Sequence, residues 1–333
     1  MPEAIRHRLN DSPFARWTVL IIVALVLLWG RALMSPPLME CGESPAILYG
    51  LLHSWLSPLP RLAVILAMIL ILIEAFGLNL LLSDAGLVSQ NSLLPTLLYI
   101  IAMRAGSATL TPIVLVCGVA ILCLRQLMLH GTLLTIPSGK VCAATGLIGI
   151  ATLFYTPAAA LMLTYLLVAA NYRLYGWKDW ALMILGFMAP LLALLCILYL
   201  TDGIAAWWST TLAALSAVGL HSDTTPLLPL LGSVILAATL LWGLLTVNLR
   251  LTEHPVMWQK NAASVMLFTV GALGIMPYAP LLPVNMPLFA LPFTFCTTRL
   301  FLDATAKTAF RKKKHLWLYD ILLILLLAAA LTC

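Results

Sequence analysis

Glu40 and Glu43 stand three residues apart in a stretch, 35–60, that separates two apolar runs. A carboxylate beside a membrane surface can act as a general base on an acceptor hydroxyl. Two acids in such a loop are equally explained as ordinary solvated groups. Arg31, Arg61 and Arg104 sit at ends of the first three apolar runs, at one common depth. Guanidinium groups bind phosphate oxygens bidentately, so together they suit the phosphate or pyrophosphate of a lipid-linked donor. Snorkelling of each stem to the headgroups is the plainer account. Glu74 is different: it lies near the middle of the second run, with Asn79 five residues on. A carboxyl there is costly unless it is neutral, paired or facing water. It suits a proton relay or ion-coupling group, or a protonated acid bonded to a neighbouring helix.

The elements that must position these groups are helices in lipid. Of the 333 residues, 62% are apolar and 9% charged, with a mean hydropathy of +1.05. A soluble chain carries about a quarter charged residues. Apolar runs occur at 17–34, 61–83, 92–104, 111–129, 139–155, 157–171, 180–201, 226–248, 261–278, 284–302 and 316–333. Most approach the length needed to cross ~30 Å of hydrocarbon. Backbone polar groups in lipid must be satisfied within the segment, and the alternating pattern of a barrel is missing. The expected fold is therefore all-α, a polytopic bundle of eleven spans forming one integral membrane domain over 1–333. The basic residues ahead of the first run resemble the start of a signal peptide. No small-x-small cleavage site follows, so the run is expected to be retained.

Orientation follows from Lys and Arg. With the N-terminus in the cytoplasm, fifteen of the eighteen fall at the inner face, and only Arg31, Arg61 and Arg104 fall outside. That bias is the positive-inside pattern of a bacterial inner membrane protein, and it puts the C-terminus outside.

The remaining features narrow the chemistry. Phosphate-loop, dinucleotide-fold and zinc-protease signatures are missing, and the seven cysteines have no metal-site spacing. No cofactor or metal is expected, and a bridge between Cys41 and Cys333 is conceivable. The segment 45–56 is too short to span and reads as an interfacial helix with His53 on its wetter side. The stretch 276–292 holds five prolines, so the outer link there is expected to be extended or re-entrant. Lys307 and the basic cluster at 311–315 face anionic lipid, and nucleic acid is not an expected partner.

Two motifs carry a resemblance. Asn91-Ser-Leu-Leu-Pro-Thr-Leu-Leu-Tyr99 and the run from Asn171-Tyr-Arg-Leu-Tyr-Gly-Trp-Lys-Asp-Trp to Gly186-Phe-Met-Ala-Pro190 are similar to an uncharacterised family of inner-membrane proteins of Bacteroidota. That likeness implies a context and no activity. In outline only, the acidic first outer loop with its interfacial helix resembles multi-span polyprenyl-phosphate-dependent glycosyltransferases. This implies membrane lipid, and a polyprenyl-phosphate-linked sugar, as partners.

Three functions stay open, of which the sequence favours the first. An envelope-glycan or lipid-carrier enzyme would use Glu40 or Glu43 as base and the three arginines on phosphate, in a groove joining the first loop to 276–292. A transporter or flippase-like protein would use Glu74. A non-catalytic subunit or assembly factor would pack against a membrane protein partner.

Overall fold

The computed structural model describes residues 13–37, 46–88, 92–106, 109–128, 138–173, 176–216, 227–278, 286–310 and 316–332. These are all-helical, with no strand among them. The α-helices are α1 (Pro13–Met34), α2 (Ile47–Leu56), α3 (Pro60–Asp84), α4 (Leu94–Arg104), α5 (Pro112–Met128), α6 (Ser138–Phe154), α7 (Ala160–Asn171), α8 (Trp177–Leu200), α9 (Ile204–Ser216), α10 (Leu227–Leu249), α11 (Val256–Ile275), α12 (Ala290–Phe310) and α13 (Leu316–Thr332). Short 3₁₀ turns at Thr156–Ala159, Met276–Tyr278 and Met286–Phe289 precede or follow α7, α11 and α12.

Among the described residues, four helical segments are long and apolar enough to cross a membrane: Pro60–Asp84, Trp177–Leu200, Leu231–Leu249 and Val256–Tyr278. Their outward faces are apolar too. On α8, Ile184, Leu185, Leu192 and Ile197 are exposed, and on α10, Leu241, Trp242, Leu245 and Leu249 are. A contiguous leucine surface of this kind has lipid, not water, as its solvent.

The centre of the bundle is α4. Every residue from Leu94 to Met103 is buried, as expected for a helix apolar all round its circumference. It packs against α1, α3, α12 and α13. Pro95 sits in its first turn, where a missing N–H costs nothing.

Helix pairs approach closely where one of them is glycine. An alanine Cβ at Gly149 in α6 would lie 2.5 Å from both the Phe187 carbonyl oxygen and Pro190 Cγ of α8. At Gly186 it would strike the Cys142 carbonyl and Thr145 Oγ1 of α6. At Gly243 in α10 it would lie 2.7 Å from Cys296 Cβ of α12, and at Gly271 in α11 it would strike Thr164 Oγ1 of α7. Small residues at crossings are how membrane helices associate without a hydrophobic driving force between them. The Gly186–Pro190 motif therefore has a packing role in the α6–α8 pair.

The second motif clamps three helix ends. Asn171 Nδ2 donates to the Lys260 carbonyl at 2.8 Å and to Ser264 Oγ at 3.1 Å. The Tyr172 hydroxyl donates to Asn261 Oδ1 at 2.7 Å, and Asn261 Nδ2 to the Ala85 carbonyl at 3.2 Å. The ends of α3 and α7 and the first half of α11 are thus tied together. Burial pushes the Tyr172 phenol up to about 12, which keeps its hydroxyl a donor around neutrality. Arg173, in the left-handed region at φ 59, ends the turn beyond α7.

Helix α2 forms where an interfacial helix was expected, with one difference. Tyr49 and Leu56 are buried, Leu52 and His53 half-buried, and Leu51, Ser54 and Trp55 exposed. His53 therefore lies on the packed side beside Tyr49, ring centroids 6.4 Å apart, not on the wetter side. The Tyr49 hydroxyl donates to the Leu110 carbonyl at 3.1 Å and anchors the helix. Helix α9 was not anticipated at all. It begins after a turn made by Asp202, at φ 52, and Gly203.

Candidate functional site

Glu74 sits where α3, α4, α5 and the Met286–Phe289 turn converge, and it is only 5% exposed. Its register on α3 turns it toward α4, where the Tyr99 hydroxyl donates to Glu74 Oε2 at 2.9 Å. The other oxygen, Oε1, faces Gly118 of α5 so closely that a Cβ there would collide with it. Only glycine at 118 admits the carboxyl. One residue before it, Cys117 Sγ donates to the Pro287 carbonyl at 3.2 Å. That contact fixes the proline-rich stretch against the same junction. Of the 276–292 link, Met276–Tyr278 and Met286–Phe289 are 3₁₀ turns, with Met286, Pro287 and Leu288 buried, and 279–285 lie outside the described residues.

Among the described residues Glu74 Oε1 has no hydrogen-bond partner, and neither have Asn79 Oδ1 on α3, Thr96 Oγ1 on α4, or Trp29 Nε1, Thr111 Oγ1 and Thr164 Oγ1 elsewhere. Helices α3 and α4 follow one another in the chain and run antiparallel. With Tyr99 opposite Glu74, Thr96 lies about one turn, ~4.5 Å, further along the pair in the direction of Asn79. Glu74 and Asn79 are both on α3, ~140° apart around it, and Thr96 is on α4. Buried polar atoms are normally bonded, and each exception asks for a reason. Farther along lies the Ala85–Asn261–Tyr172 clamp. Among the described residues no group of three or more His, Cys, Asp and Glu could hold a metal ion.

The residues expected at the outer face are distributed differently. Glu40 and Glu43 lie outside the described residues, as do Cys41 and Cys333. Arg31 in the last turn of α1 and Arg61 in the first turn of α3 are exposed. Arg104, half-buried at the end of α4, donates from Nε to the Leu28 carbonyl of α1 at 2.8 Å. Its guanidinium also lies over the Trp29 ring, 5.9 Å from the centroid. Arg104 thus fastens α4 to α1 one turn before Arg31, which gives it a structural use independent of any phosphate.

Tyr99, Gly118 and the Cys117–Pro287 contact were not identified from the sequence as partners of Glu74. The only signal available was the tyrosine that closes the Asn91–Tyr99 motif. The chain matches no family model, no curated protein and no solved structure.

Proposed function

We propose that this chain is an eleven-span protein of a bacterial inner membrane, N-terminus inside and C-terminus outside, in which Glu74 takes up and releases a proton during transport. The observation that carries this reading is the unpartnered Oε1 of a carboxyl buried at a four-element junction. An acid retained for structure in a bundle ends up bonded on both oxygens, because low dielectric makes an unmet bond expensive. Here one oxygen is left open, and Thr96 on α4 and Asn79 further along α3 have open oxygens as well. A threonine hydroxyl both donates and accepts, and on this reading the proton moves from Glu74 toward the Asp84 end of α3. In the proposed topology that end is cytoplasmic.

A proton is also the cation that fits best. A hard metal cation needs about six oxygens around it, whereas Gly118 packs directly on Oε1 and one carboxyl is present. The lipid-phosphate enzyme reading draws less support. Arg104 is engaged with Leu28 and Trp29.

Infrared difference spectroscopy of the protein in lipid nanodiscs tests the proposal. A carboxyl C=O stretch that disappears in Glu74→Gln should shift on transfer to deuterated water and change intensity with pH. In proteoliposomes, the same substitution should abolish substrate-driven proton movement. A Glu74 band that never exchanges, at any pH, would mark a sealed structural acid and end the reading.

A further inference from the structure

We propose that a cavity at the Thr152 end of α6 binds a neutral amphiphile, one with an alkyl body and an uncharged hydroxyl headgroup. The cavity encloses about 260 Å³ between α6, the Thr156–Ala159 turn, α8 and α9, with Ala46 and Ile47 at the start of α2 on its rim. Leu153, Phe187, Leu191, Leu194 and Trp207 supply apolar walls, and four threonines, Thr152, Thr156, Thr210 and Thr211, supply the polar part. Among the described residues, none that lines the cavity is charged. A phosphate, carboxylate or ammonium group would enter without a counter-charge, which is strongly unfavourable.

The hydroxyls define what the headgroup must offer. Thr152 donates to the Gly149 carbonyl at 2.6 Å, Thr210 to Trp207 at 2.9 Å and Thr211 to Trp207 at 2.8 Å. A hydroxyl has one proton and two lone pairs. With those protons committed to helix carbonyls, the threonines present acceptors to the cavity. A ligand therefore has to donate, and a hydroxyl does so without bringing charge. Helix α9 holds Trp207, Thr210 and Thr211 on one face through the i, i+3, i+4 spacing, and the turn at Asp202 and Gly203 folds that face back over α8. The site involves no residue of the Glu74 junction, so it stands or falls separately from the transport reading.

The test uses the full chain in nanodiscs with a long-chain alcohol carrying a diazirine in its alkyl chain. Parallel probes end in a carboxylate or a phosphate. Photolabelling by the alcohol should saturate, be competed by unlabelled alcohol, and map to peptides containing 152–159, 187–194 and 207–211. Ala159→Trp, which fills the cavity, should remove that labelling, and Glu74→Gln should leave it intact. If the tryptophan variant fails to fold, Thr211→Val and Thr152→Val take its place, and each should weaken competition by the alcohol. Unsaturable labelling spread over the exposed faces of α8 and α10 would overturn the proposal. So would stronger labelling by either charged probe.

Discussion

Gly149→Ala and Gly77→Ala are chemically identical changes in two helix interiors, and the structure gives them opposite signs. At Gly77, in the middle of α3, an added Cβ meets nothing within 4 Å. Removing glycine's excess backbone freedom should therefore stabilise the helix by ~0.5–1 kcal/mol. At Gly149 the same methyl lies 2.5 Å from the Phe187 carbonyl oxygen and Pro190 Cγ. Ordinary van der Waals contact begins at 3.4 Å, so α6 and α8 must separate by about 0.9 Å, the difference of the two distances. Neither obstacle is the end of a flexible side chain. One is backbone, and the other is a ring fused to backbone whose proline already denies Gly186 its usual helix partner.

Overpacking of this kind costs ~1–3 kcal/mol, and a gap near 1 Å forfeits a quarter to a half of each neighbouring dispersion contact. The upper part of that range applies, less the same propensity gain, so a net loss of ~2 kcal/mol is expected. The two alanines should differ by ~3 kcal/mol in unfolding free energy. Reversible unfolding in mixed micelles, followed by far-UV circular dichroism against denaturing detergent, measures both. Equal shifts of the same sign would refute the close α6–α8 crossing, and with it the packing role assigned to the Gly186–Pro190 motif.

Other substitutions probe the seam and the clamps. Tyr99→Phe leaves both Glu74 oxygens unbonded and should cost ~1–3 kcal/mol, with the Glu74 C=O stretch moving to higher frequency in the infrared spectrum. Gly118→Ala meets only the end of the Glu74 side chain. It should displace the carboxyl and abolish its exchange with deuterated water while changing the unfolding midpoint little. Asn261→Ala strands the Tyr172 hydroxyl and the Ala85 carbonyl and should cost ~2–3 kcal/mol. A double-mutant cycle with Tyr172→Phe should then show coupling rather than additivity. Arg104→Gln should lower stability by ~1–2 kcal/mol through lost Leu28 and Trp29 contacts, while Arg61→Ala, at an exposed position, should stay within ~0.5 kcal/mol of the parent.

The helices were legible to the extent that apolar length alone determines them. α4 shows this well: short for a span, uniformly apolar, and buried on every side. α9 was missed because Trp207, Trp208, Ser209, Thr210 and Thr211 carry no periodic apolar stripe. Its threonines bond back to their own helix carbonyls, which no local pattern announces. Glu74 could be singled out because one acid in an apolar run is conspicuous. Its surroundings could not, since Tyr99 lies 25 residues away and the Cys117–Pro287 contact joins positions 170 apart. The outer arginines show the reverse failure. Their types and depth suit a phosphate, but Arg104 is held by a carbonyl of α1, and a carbonyl acceptor leaves no mark in sequence.

How polar groups are treated elsewhere in the bundle bears on the open carboxyl oxygen of Glu74. On α12 the buried threonines 294, 297 and 298 each bond a carbonyl one turn back. The side-chain amides of Asn171 and Asn261 reach carbonyls on neighbouring segments. Many buried polar atoms are bonded in this way, though Trp29 Nε1, Thr111 Oγ1 and Thr164 Oγ1 are not, and glycine stands at several of the closest helix crossings. Among the unbonded buried atoms, Glu74 Oε1 is the one that belongs to a carboxyl, and it lies against a glycine that makes room for it. Replacing Glu74 by Gln or by Leu separates the two explanations. If the carboxyl serves packing, Gln, which keeps the Tyr99 contact, should be the more stable variant, and both should retain function. If it serves the proton, both should lose substrate-driven proton movement in proteoliposomes, whatever their order of stability.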